Sequence, residues 1–218
     1  MQDAEIDIIA VTGLGGHALG SFRAPEGTSV WLRDFAPEDI PGAGFLTYGY
    51  HSAVVASDSN QGVRELARTL LDELAGFCSR TQTQERPICF IAHSLGGVVL
   101  KEALIIASQA TEPVYRDLYD VMLATPGLIL MGVPNLGLRH NQLATVVAGQ
   151  PNENFVRDLL TRPDGEPSQF LSHLTTEFAL LCKQNQPSWK IISYYETGHS
   201  RTIAVGSHAS MLYSCAAC

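Results

Sequence analysis

Residues 87 to 101 read Pro-Ile-Cys-Phe-Ile-Ala-His-Ser-Leu-Gly-Gly-Val-Val-Leu-Lys, and few architectures accommodate such a run. Ile88 to Ile91 are strand formers. The strand pattern stops at Ala92-His93. After Ser94, an apolar pattern at helical spacing runs through Val98, Val99, Ala103, Leu104, Ile106 and Ala107. A serine caught between a buried strand and a buried helix stands on a sharp turn, with its hydroxyl raised above the carboxyl end of a sheet. Such a turn needs small residues on either side, and Ala92, Gly96 and Gly97 supply them.

A chain of 218 residues suits one α/β domain with a sizeable core, taken here as 1–218. The formal net charge of −8, with no basic arm or cluster, argues against nucleic acid or an anionic membrane surface as partner. The N-terminus is acidic and leads straight into a strand, so no signal peptide is read. Residues 121–138 lack charge but are cut by Pro126, Gly127, Gly132, Pro134 and Gly137. A buried strand with flanking loops is expected there, not a transmembrane segment. Of five cysteines, those at 78, 89 and 182 lie in apolar patterns and are expected as buried reduced thiols. An intracellular, cytoplasmic protein is the expectation.

In chain order, Ile6, Ile8, Ile9 and Val11 make a strand that runs into Thr12-Gly-Leu-Gly-Gly-His17. The glycines there lack phosphate-loop spacing and fit a loop that turns amide N–H groups toward the serine. His17 reads as a pocket-wall or surface residue and His51 as a loop histidine. Residues 18–41 look irregular, with Trp31-Leu32 a buried anchor and Pro37 and Pro41 at turns. Residues 44–50 form a second strand. Val63, Leu66, Ala67, Leu70, Leu71, Leu74 and Phe77 predict an amphipathic helix. Leu128 to Met131 form another strand, and 139–165 look loop-rich with a short helical patch at 155–160. Ser168 can cap a helix carrying Phe170, Leu171, Leu174, Phe178 and Leu181, and residues 189–195 make a late strand. Hydrophobic strands alternating with helices imply a mostly parallel sheet covered by helices on both faces.

The strand–serine–helix run fits the nucleophile elbow of α/β-hydrolases, written G-x-S-x-G and here Ala92-His-Ser-Leu-Gly96. Acyl transfer needs a nucleophile, a base, an acid to orient the base, and donors for the oxyanion. Ser94 is the candidate nucleophile. The candidate oxyanion donors are the backbone N–H of Leu95 and of Leu14 or Gly15. Glu196 stands at a strand end in the right order for the acid, although spacing alone fits a solvated glutamate equally. His199 is too close to Glu196 to come from a separate strand end. His208, after Thr202-Ile-Ala-Val205, is the better-placed base, and His93 reads as structural. No cofactor or metal is implied. The partner expected is a small-molecule or lipid ester.

The segments at 11–17, 31–34, 46–50, 90–97, 131–137 and 194–197 resemble, in order, the lipase-like serine esterase domains related to the serine-active-site-containing protein. The nearest likeness is to a fungal branch that often heads NACHT-, ankyrin- or tetratricopeptide-containing receptor-like proteins. The resemblance spans about 5–198. It implies an α/β-hydrolase fold, an esterase or lipase activity, Ser94 as nucleophile and Glu196 as acid. It also implies that receptor or repeat domains accompany the domain in a longer native product. Thr12 departs from the histidine often found there, and Val133, Asn135 and Leu138 depart from the commoner Gly-Thr-Pro-His-x-Gly-Ser form. The family histidine lies some tens of residues past the Tyr-Glu strand, beyond the end of this chain. The resemblance therefore predicts a C-terminally truncated form, with 199–218 an atypical tail. A non-catalytic interaction module that keeps the fold without its histidine is the rival expectation. Cys215-Ala-Ala-Cys218 has the outline of a prenylation box or a zinc half-site, and an accidental tail is the preferred reading.

Overall fold

Short runs of Ile, Val, Leu and Phe without alternation produce strands buried on both faces, and here they assemble side by side in parallel. The computed structural model describes residues 4–24, 26–50, 58–139, 141–184 and 189–195. In order, these form β1 (Ile6–Val11), α1 (Trp31–Asp34), α2 (Ala36–Asp39), β2 (Ala43–Tyr48), α3 (Val63–Thr81) and β3 (Ile88–His93). Then follow α4 (Leu95–Gln109), α5 (Arg116–Leu123), β4 (Gly127–Met131), α6 (Asn141–Val146), α7 (Glu153–Leu159), α8 (Gln169–Gln184) and β5 (Lys190–Tyr194). The strands pair in the order β2-β1-β3-β4-β5, each pair parallel. The fold is that of an α/β-hydrolase, with β3 at the centre and the carboxyl ends of all five strands on one rim.

The two sheet faces are covered unequally. Ile9, Val11, Phe90, Ala92, Leu128 and Leu130 face a large core shared with α3, α4, α5 and α8. On the opposite face Ile8, Ala10 and Ile91 meet Leu32 of α1, with Phe22, Phe45 and Ile129 partly buried beside them. Helix α4 is the most deeply set element, with every residue from Leu95 to Ala107 buried. The helix capped by Ser168 is present, and the Ser168 Oγ accepts the Leu171 N–H at 3.1 Å.

Several local expectations need correction. Leu32 is buried but its neighbour Trp31 is 45% exposed, because successive residues of a helix point about 100° apart and only one of the two can meet the sheet. Pro37 lies in the first turn of α2, where proline fits, and so does not mark a turn. Val121 belongs to α5, not to a loop, and 141–146 is helical. Both helices are too short for a helical period to stand out in the sequence. Cys78 is buried, Cys89 and Cys182 are half-buried, and none of the three is in a disulfide. No described helix is long and apolar enough to cross a membrane.

Candidate active site

The centre of the rim is where β3 hands over to α4. Ser94 sits there with φ 51° and ψ −124°, a backbone conformation that residues bearing a Cβ seldom adopt. It is held by two backbone hydrogen bonds. Its N–H donates to the Met131 carbonyl at the end of β4 at 2.8 Å, and its carbonyl accepts the Gly97 N–H at 3.0 Å. The residue is 5% exposed. The bend is possible because nothing bulky fills its inside. A Cβ at Gly96 would collide with the Thr12 carbonyl and come within 2.7 Å of the Val11 oxygen, and one at Gly97 would occupy the space of the Val133 side chain.

The loop after β1 lies directly against the serine. A Cβ at Gly13 would stand 3.0 Å from the Ser94 Cβ and 3.1 Å from the His93 Nδ1. The Gly16 N–H closes a tight turn on the Gly13 carbonyl at 3.0 Å, with Leu14 and Gly15 at its centre and Gly15 at φ 64°. Positive φ at that place is readily met by glycine. The loop is anchored from β2. The Thr12 N–H donates to the Tyr48 carbonyl, and the Tyr50 hydroxyl donates to the Thr12 carbonyl at 3.0 Å. Burial pushes the Tyr50 phenol well above its ordinary range, which keeps it a neutral donor. Leu95 opens α4, so its N–H is among the helix donors that have no partner within the helix, at the positive end of the helix dipole.

The other candidates fall in different places. His17 is exposed, and its Nδ1 accepts the N–H groups of Leu19 and Gly20, both at 3.2 Å, so it holds a short turn. His93 packs its ring on the Gly13 loop. His173 is an exposed residue of α8. Glu196, His199, His208 and His51 lie outside the described residues. β5 nevertheless brings the chain to the same rim as Ser94, on the far side of β4, where the Gly132 N–H donates to the Tyr194 carbonyl at 2.9 Å. Among the described residues, none hydrogen-bonds the Ser94 hydroxyl, and no group of His, Cys, Asp and Glu could hold a metal ion.

One buried cluster was not anticipated. Lys101 and Glu102 are 2% and 5% exposed in the middle of α4. Glu102 pairs with Arg64 of α3 at 3.1 Å, while the Lys101 Nζ donates to Asn135 Oδ1 at 2.6 Å. The available signal was two charged residues interrupting an otherwise unbroken apolar helix.

A family model described as "Putative serine esterase (DUF676)" matches residues 38–161, a span that holds the elbow and the loop after β4. The chain belongs to this family. The chain is also similar to Protein SERAC1 of Danio rerio, 27% identical over 154 residues. That match covers 62% of this chain and 23% of the relative, so the chain spans about a quarter of that protein's length. Among solved structures, phospholipase PlaB from Legionella pneumophila superposes with a TM-score of 0.56 at 13% identity, over 87% of this chain and 39% of that one. A second structure of that phospholipase, in complex with thio-NAD, gives 0.51 at 16% identity, over 79% and 33%. These structural likenesses speak for the fold.

Proposed function

We propose that this serine esterase family member is a carboxylic ester hydrolase acting through an acyl-Ser94 intermediate. The backbone of Ser94 carries the reading. A strained serine at the head of a buried helix, faced by a glycine turn, matches what nucleophilic acyl transfer requires. In the acylation step the Ser94 Oγ bonds to the ester carbonyl carbon, its proton passes to a base, and the alcohol leaves. Water then releases the acid and returns the hydroxyl. The N–H of Leu95 and that of Leu14 or Gly15 hold the developing oxyanion. Glu196 serves as the acid, supported by β5 ending on the same rim as the elbow, and His208 serves as the base. In a longer native product the same domain, 1–218 here, would act beside receptor or repeat domains in the cytoplasm.

A fluorophosphonate probe should label the chain, and Ser94→Ala should abolish labelling. Labelling that survives the substitution removes Ser94 from the role. His208→Ala should slow labelling by about 10²- to 10⁴-fold. A second reading is an interaction module that keeps the fold without catalysis. A wild-type chain that takes no probe decides for that module.

A further inference from the structure

Lys101 lies further along α4 than the elbow, where the helix meets both the loop after β4 and α8. It follows Gly97 by four residues, so both face the same side of α4. That side meets the loop from Gly132 to Gly137, which leaves β4 next to Ser94. Gly97 admits the Val133 side chain, and one turn further on the Lys101 ammonium reaches Asn135 Oδ1 at 2.6 Å. The same ammonium stands 5.1 Å over the ring of Phe178 of α8. Phe178 in turn stacks on Trp189 at 5.9 Å, immediately before β5. A lysine is donor-only, so Asn135 must turn its amide oxygen inward and its NH₂ group away from the helix. A buried ammonium is costly unless its hydrogen bonds are met, so its partners cannot drift without penalty. An ordinary core would place Leu or Met here. A charge with a directional partner fixes the loop in one arrangement that apolar packing would leave adjustable.

We propose that Lys101 is a positioning residue for the Ser94 site, fixing the 132–137 loop, through Asn135, against the helix that carries the serine. The inference rests on the hydrolase reading for its consequence, though not for the tether itself. The loop shares hydrogen bonds with both neighbours at the rim. Met131, just before it, accepts the Ser94 N–H, and Gly132 donates to Tyr194 at the end of β5. Releasing the loop therefore loosens the wall of the acyl site and the approach of β5 together. Displacements of about 1 Å in such a wall can cost on the order of 100-fold in rate.

The test compares the wild-type chain of 218 residues, Lys101→Met, Asn135→Leu, Asn135→Asp and the Met/Leu double variant. Two readouts are taken: the saturating rate of fluorophosphonate labelling per folded molecule, and amide hydrogen exchange over 132–138. Both tether-breaking single variants should label about 10- to 100-fold more slowly and exchange faster over that loop. The double variant should be no worse than either single one, because the same interaction is removed once. Asn135→Asp keeps an acceptor for the ammonium and should stay within a few-fold of wild type. Asn135 itself is only half-buried, so Asn135→Leu keeps the test alive if Lys101→Met fails to fold. Unchanged labelling in folded Asn135→Leu, or additive losses in the double variant, overturns the proposal. If wild type takes no probe, the hydrolase reading has failed, and exchange alone then decides: unchanged protection over 132–138 in both single variants overturns the tether as well.

Discussion

Ser94 is held at φ 51°, where a side chain costs on the order of 1–3 kcal/mol and glycine costs almost nothing. The hydroxyl is aimed by that strain. Relaxing the turn would let the Oγ swing from the mouth of the glycine loop. Ser94→Gly should accordingly be more stable than Ser94→Ala by about 1 kcal/mol in urea unfolding, although neither can form an acyl intermediate. Equal stabilities would mean that the turn is not strained. The elbow itself was legible from residues, because a strand run, a lone serine and two glycines leave one arrangement for the chain. Its partners were less so. The tether from Lys101 to Asn135 joins positions 34 apart in sequence, and no periodicity reports a contact of that kind.

Elements show a similar division between local and distant information. Helix α3 is legible because its apolar positions recur over 19 residues, whereas α1, α2, α5 and α6 have too few turns to display a stripe. The covering of one sheet face by several helices, with much thinner cover on the other, follows from packing and not from any segment alone. The seam between α4 and the loop after β4 is tight enough to test. Gly97→Ala should cost about 1–3 kcal/mol by overpacking against Val133. Adding Val133→Ala should recover part of that loss, and strictly additive denaturation energies would show that the two do not compete for space. On the other side of α4, burial raises the Glu102 carboxyl above its ordinary value of 4.5, opposed by Arg64 and His173. A carboxyl raised in the folded state is protonated more readily folded than unfolded, so stability falls as pH climbs from below 4.5 through the raised value. Glu102→Gln should therefore gain stability over wild type near pH 7, with the advantage shrinking below pH 4.5. An advantage that grew on acidification would contradict burial as the dominant cause.

For the whole molecule, the parallel sheet separates the work of its two ends. Ser94, the glycine turn, the 132–137 loop and the end of β5 gather at the carboxyl rim. At the opposite end, Asp7 near the start of β1 meets Arg86 just before β3 at 3.2 Å, the two side chains being 3% and 13% exposed. The Asp7 N–H also donates to the Pro87 carbonyl, so the two central strands are fastened there by backbone and side chain together. Breaking a buried pair from one side leaves an uncompensated charge and costs about 3–5 kcal/mol. Net stabilities of domains run about 5–15 kcal/mol, so Arg86→Met should bring the chain close to its folding limit. Adding Asp7→Asn should restore part of the loss by removing the stranded carboxylate. Because the pair is a strand's length from the elbow, labelling of Ser94 per folded molecule should not change in either variant. A slower labelling rate at full folding would show that the two ends of the sheet are coupled, and that the site depends on strand placement as well as on the loops that surround it.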